Sequence, residues 1–132
     1  AASRAREKDG SPTYGDVMNG VLIDWDGRIG QMSAPDTENE IDVIMMHGMV
    51  PVFVSCKNGH VDINELYKLS TVAERFGGRY AKKILIATAL ETDTPNAATL
   101  ADRAKNMGIR LVTNVRNMDD EALQRLVASF WR

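Results

Sequence analysis

The sequence predicts an α/β fold, a mixed β-sheet flanked by helices in the order β-β-β-α-β-α-β-α. Three observations carry that prediction. Residues 41–46 and 51–56 are two apolar, β-rich runs on either side of a short turn at His47 and Gly48, the pattern of a hairpin. Downstream, apolar runs at 83–90 and 109–115 alternate with segments of helical period, as expected of parallel strands joined by crossover helices. The helical segments also carry their own start and stop signals. Asp62 with Glu65 has capping-box spacing, Thr94-Pro95 and Asp119-Asp120 open the next two helices, and Gly77-Gly78 and Gly108 close the first two.

Taken in order, residues 1–18 read as a flexible N-terminal remnant of a preceding helix or linker, and 19–132 as one domain. Residues 1–8 are helix-compatible, and Asp9-Gly10-Ser11-Pro12 breaks them. A strand follows over 19–26, with Val21 and Ile23 on one face, Leu22 and Asp24 on the other, and a turn at Asp26-Gly27. Residues 28–40 read as a loop. After the hairpin, Leu66, Leu69, Ala73 and Phe76 form the apolar stripe of the first helix. The run 83–90 is apolar almost throughout, which predicts a strand buried on both faces at the centre of the sheet. The second helix turns Ala97, Leu100, Ala101 and Ala104 inward and Arg103 and Lys105 away. The last uses Leu123, Leu126, Val127 and Phe130 as its core face.

With 132 residues, 44% of them hydrophobic, the chain has the length of a single domain and enough apolar content for a core. Sixteen basic and eighteen acidic residues leave a net charge of −2, so any nucleic-acid site must be local. A single cysteine excludes an intrachain disulfide. Cys56 falls on the strand face opposite Lys57 and reads as a small core residue. No apolar run approaches bilayer length and no signal-peptide pattern is present, so a cytoplasmic location is expected. His47 and His60 are solitary and read as turn residues, and Met45, Met46 and Met49 as core or interface filler. Lys68, Arg75, Arg79, Lys82 and Lys83 read as a solvated face. Lys68, one turn beyond Glu65, has the alternative of contacting a substrate backbone.

The polar ends of the hairpin carry the chemistry. If Met46 pairs with Pro51, the register sets Asp42 opposite Ser55 with Lys57 on the diagonal, and a carboxylate and an ammonium meet on one face. On spacing alone that is an exposed cross-strand ion pair contributing at most ~1 kcal/mol. The longer series is more specific. Asn39-Glu40-Ile41-Asp42-Val43, Ser55-Cys56-Lys57-Asn58-Gly59, Glu65-Leu66-Tyr67-Lys68-Leu69 and Gly77-Gly78 together resemble the PD-(D/E)xK nucleases, and more closely the nuclease domain of CARF-linked CRISPR ancillary nucleases. The resemblance runs from about Gly20 to Val112.

It implies a restriction-endonuclease-like core and a metal-dependent endonuclease acting on DNA or RNA with Mg²⁺ or Mn²⁺. Asp42 and Lys57 match the acid and the lysine of the pattern, and the Cys56 carbonyl would complete part of the metal shell. Ser55 stands where the pattern usually has Glu, and a hydroxyl does not ligate as a carboxylate does. Two acids are candidates for the missing ligand. Glu65 opens the following helix, where some members of the superfamily carry a relocated acid, and Glu40 lies two residues before Asp42. Glu65 has a structural alternative as a capping-box glutamate, contributing about 1 kcal/mol. The resemblance further implies a CARF domain before Ala1 that senses cyclic oligoadenylate, and a homodimer to which Phe130 and Trp131 would contribute. The alternative reading is a catalytically degenerate nuclease fold that binds nucleic acid or acts as a dimerisation module.

Overall fold

The computed structural model describes residues 1–24, 38–59, 61–88 and 95–132. Five strands form one mixed sheet in sequence order: β1 (Asp16–Asp24), β2 (Glu38–His47), β3 (Val50–Lys57), β4 (Lys82–Ala87) and β5 (Ile109–Val112). The first three are antiparallel neighbours, and β3, β4 and β5 run parallel. The parallel half is joined by α1 (Ile63–Gly77) and α2 (Pro95–Asn106), and α3 (Asp120–Ala128) closes the chain. The expected element order is therefore the observed one. The predicted turn at Asp26-Gly27 and the residues Ala89, Leu90 and Thr94 lie outside the described residues.

The sheet separates two cores. On one face Ile44, Phe53, Leu85 and Ile109 meet Leu66, Leu69, Val72 and Ala73 of α1 and Ala104 of α2. On the other, Met45, Val52, Val54, Ile84 and Val112 meet Val127 of α3 and Phe130 just beyond it, together with Ala5 and Tyr14 of the N-terminal segment. Helices thus cover both faces, as the near-continuous apolarity of the parallel strands requires. The Tyr14 hydroxyl donates to the Val127 carbonyl at 2.5 Å, and desolvation pushes its phenol up to about 12.

Local chemistry explains the boundaries. Asp62 and Asp119 cap α1 and α3 by accepting from the amides of Asn64 at 3.0 Å and Ala122 at 2.7 Å. Gly78 and Gly108, both at positive φ, follow the ends of α1 and α2. Several expectations need correction. β1 begins three residues before position 19, and β5 stops at Val112, where a 3₁₀ turn at Val115–Asn117 takes over. β4 is an interior strand, but β3 is the central one. Phe76 is 48% exposed and does not join the stripe, which Val72 completes instead. Lys83 is not on a solvated face. Its side chain is 10% exposed, and its ammonium reaches Ser70 Oγ at 3.3 Å and Glu74 Oε1 at 3.4 Å.

His47 is the last residue of β2 rather than a free turn residue; the turn itself is Gly48-Met49, with Gly48 at φ 57°. Its ring stacks on Trp131 at 3.7 Å, and Nδ1 lies 2.6 Å from the Thr13 carbonyl. Phe130 is 2% exposed, so it serves the core of this chain and not an outer surface.

Candidate active site

The site lies where β2 and β3 part company. Their pairing runs from His47–Val50 through Met46–Pro51 to Val43–Val54, the predicted register, and stops there. Towards its N-terminal end β2 continues to pair with β1, from Val21–Ile41 to Asp24–Glu38. The cause is visible opposite Asp42. Gly20 sits between the pairs Asn19–Val43 and Val21–Ile41 and has φ 61°, a left-handed conformation that breaks the pleat without steric cost only for glycine. Beyond this point the side-chain alternation changes face. Met45 and Val43 pack in the α3 core, but Ile41 and Val21 pack in the α1 core.

Asp42, at the parting, fills the gap with its side chain. Oδ2 accepts from the Cys56 amide at 2.7 Å, in place of the main-chain acceptor that β2 no longer supplies, and lies 3.5 Å from Ser55 Oγ. The amide and carbonyl of one strand residue point to the same edge, so the Cys56 carbonyl faces the same gap. Lys57 extends from the next position on the Ser55 face, roughly 7 Å along the strand. Its ammonium meets Glu65 Oε1 at 3.3 Å, with the two side chains 42% and 25% exposed. The expected Asp42–Lys57 ion pair is not formed. The lysine turns instead to α1, whose first turn overhangs the end of β3. That contact also engages the Glu65 carboxylate, while Asp62 alone caps the helix.

Cys56 is on the predicted face but is exposed, because it lies past the last pair of the β2–β3 ladder and past the end of the core. Local desolvation, and secondarily the negative charge of Asp42, pushes its thiol up from the usual range, which disfavours the thiolate. Glu40 stands opposite Leu22 in the β1–β2 ladder. His60 lies outside the described residues.

Thr88, which sequence reasoning missed, ties down the end of β3. Its amide donates to the Lys57 carbonyl at 3.1 Å, and its hydroxyl donates to Asn58 Oδ1 at 2.8 Å and accepts from the Gly59 amide at 3.1 Å. A polar residue ending an otherwise apolar strand was the available signal.

The structure therefore brings Asp42, Ser55, Cys56, Lys57 and Glu65 to the carboxyl ends of two parallel strands, where open α/β sheets usually bind ligands. Among the described residues no group of three or more His, Cys, Asp or Glu side chains is arranged to hold a metal ion. Two carboxylates and a strand carbonyl are nevertheless hard oxygen donors of the kind Mg²⁺ takes, an ion that usually keeps several of its waters. The donor set fits such an ion in chemistry.

No protein-family profile and no curated protein matches the chain. Solved structures do. Protein VC1899 from Vibrio cholerae superposes with a TM-score of 0.66 at 22% identity, over 93% of this chain and 30% of that one. Can2 from Sulfobacillus thermosulfidooxidans, solved in complex with cyclic tetra-adenylate, superposes with a TM-score of 0.61 at 16% identity, over 89% of this chain and 30% of its own. The chain thus spans less than a third of the length of either structure and shares its fold with one region of each. Among the described residues no helix is long and apolar enough to cross a membrane.

Proposed function

We propose that this chain is a metal-dependent nuclease domain of PD-(D/E)xK type, the effector part of a larger CARF-linked protein associated with CRISPR defence. The observation that carries this reading is the convergence of the Asp42 carboxylate, the Cys56 backbone, Lys57 and Glu65 where β2 leaves β3. Likeness of fold to Can2, whose structure holds cyclic tetra-adenylate, supports the sensor-linked context.

Asp42, Glu65 and the Cys56 carbonyl would hold Mg²⁺ or Mn²⁺, with Glu40 as the further acid. A bound ion of this kind polarises the phosphoryl oxygen and lowers the pKa of its water. Asp42 is oriented for the role by the Cys56 amide, which fixes one carboxylate oxygen and, among the described residues, leaves the other without a hydrogen-bond partner. Lys57 would supply positive charge to the phosphorane as charge builds on its oxygens, and its move from Glu65 to substrate would free the glutamate as a ligand. Ser55 occupies the usual acid's position and donates a hydrogen bond to Asp42. The substrate is DNA or RNA, since the phosphodiester is common to both, and the working unit is a homodimer.

The second reading, a degenerate fold that binds without cutting, draws on the Lys57–Glu65 pair, in which both groups neutralise each other, and on Ser55. Cleavage of single-stranded DNA and RNA in Mn²⁺, with Asp42→Ala and Lys57→Ala as controls, separates the two. Metal-dependent cleavage lost in both variants supports the nuclease. Metal binding absent by calorimetry, together with no cleavage, supports the binding module.

A further inference from the structure

The N-terminal segment and α3 line an open surface groove of about 210 Å³ formed by Arg4, Arg6, Glu121, Gln124 and Arg125, of which all but Gln124 are exposed. Its charge runs against that of the whole chain, with three guanidinium groups facing a single carboxylate in a protein of net charge −2. Internal partners do little to offset this. Arg6 is held by two carbonyls, Ser3 at 3.1 Å and Ala5 at 3.0 Å, which fix its fork without neutralising it. Arg125 lies 3.8 Å from Glu121 in an exposed pair one helical turn apart, a contact of small energy. Among the described residues no side-chain hydrogen bond or ion pair engages Arg4. Arginine does not deprotonate, so the repulsion among the three cannot be relieved by losing a proton, as a lysine cluster's can.

We infer that this groove is an anion site for a phosphate group, carried either on a nucleotide or on a nucleic-acid backbone. Guanidinium forks match phosphate oxygens two at a time, and Gln124 adds an amide donor at the rim. The volume is below that of pockets that enclose drug-sized ligands, and the open shape suits a phosphate group held at the surface. The backbone bonds to Arg6 set one fork in advance, which lowers the entropy lost on binding. The inference does not rest on the nuclease reading. The lining residues come from α3 and the N-terminal segment, and Asp42, Lys57 and Glu65 take no part.

Amide NMR titration of the whole chain in EDTA, which silences any divalent-metal site, tests it with two probes, pyrophosphate and a short single-stranded oligonucleotide. Saturable shifts at the amides of Arg4, Arg6, Gln124 and Arg125 are expected. Arg4→Gln with Arg125→Gln should weaken binding roughly tenfold or more, while Lys105→Gln, on α2, leaves it unchanged. Saturation by pyrophosphate alone assigns the site to a nucleotide-like ligand, and preference for the oligonucleotide assigns it to a nucleic-acid backbone. No shift with either probe overturns the inference, as do shifts that persist in the double variant. Arg4→Gln alone, which breaks no side-chain bond among the described residues, decides the matter if the double variant does not fold.

Discussion

Asp42 ties the sheet together where β2 leaves β3, and under the proposed function it would also hold metal; the two roles can be pulled apart. Its Oδ2 accepts the Cys56 amide at 2.7 Å and lies at a longer 3.5 Å from Ser55 Oγ. A hydrogen bond to a charged group contributes about 1.5–3 kcal/mol. The low end applies here, because Cys56 is exposed and water can replace the acceptor. Asp42→Ala should therefore cost about 1.5 kcal/mol, and with a urea m-value near 2 kcal/mol/M the midpoint should drop by roughly 0.8 M. Asp42→Asn keeps an oxygen for the same amide and should lose less than about half of that. Metal sees the two variants alike, since neither presents a carboxylate. At Mn²⁺ hundredfold above its Kd the parent should gain about 2.7 kcal/mol and both variants almost none. Urea unfolding with and without Mn²⁺ reads both roles in one experiment. Asp42→Asn retaining the parent's Mn²⁺-linked gain would refute the metal role. Equal loss of stability in Asn and Ala would refute the amide bond as the structural one.

Other perturbations test the frame around the site. Thr88→Val removes both hydroxyl bonds while keeping the shape; it should cost about 1–2 kcal/mol and speed hydrogen exchange at the Gly59 amide, and unchanged exchange there would sink the idea that Thr88 anchors the end of β3. Gly77→Ala would set a Cβ 2.4 Å from Phe53 Cε2 and 2.6 Å from Ala81 Cβ, an overpacking expected to cost about 1–3 kcal/mol in thermal or urea unfolding. Tyr14, raised to about 12, favours the folded state while its phenol is protonated. That stability is complete below the unfolded value near 10 and is lost as pH climbs towards 12, by about 2–3 kcal/mol in all. Tyr14→Phe should flatten the fall in urea midpoint between pH 9.5 and 11.5, and an unchanged slope would contradict the burial argument.

Much of the frame was legible because local signals and tertiary outcome agree. The hairpin register follows from a turn centred on Gly48-Met49 and an alternation on both flanks, and the caps at Asp62 and Asp119 act on amides two or three residues away. What was not legible depends on groups distant in sequence. The turning of Lys57 from Asp42 to Glu65 follows from the overhang of α1 and from the bend at Gly20, which no reading of the hairpin alone contains. Cys56 was expected in the core because strand alternation gives the face of a residue but not whether a layer extends over it. Lys83 looked like surface by type. Burial of a long aliphatic stem with its ammonium on Ser70 and Glu74 is decided by the helix above it. The stack of His47 on Trp131 joins residues far apart in the chain and leaves no mark in either neighbourhood.

The divergence of β2 from β3 divides the sheet energetically as well as geometrically. Residues on the hairpin side of Asp42 belong to a five-stranded unit with two covered faces. Among the described residues, the stretch from Val21–Ile41 to Asp24–Glu38 is a ribbon of two strands, a size that has little stability of its own in water. Local opening of that ribbon frees the Val21–Ile41 pair from the α1 core but leaves the other strands paired, and so proceeds at a free energy below global unfolding. The Asp42 carboxylate is the first cross-link met on passing from the ribbon into the main sheet. A ligand that engages this carboxylate therefore acts at the border between a low-stability and a high-stability region. Its binding free energy is drawn on there to fix or release the ribbon while the rest of the fold stays closed.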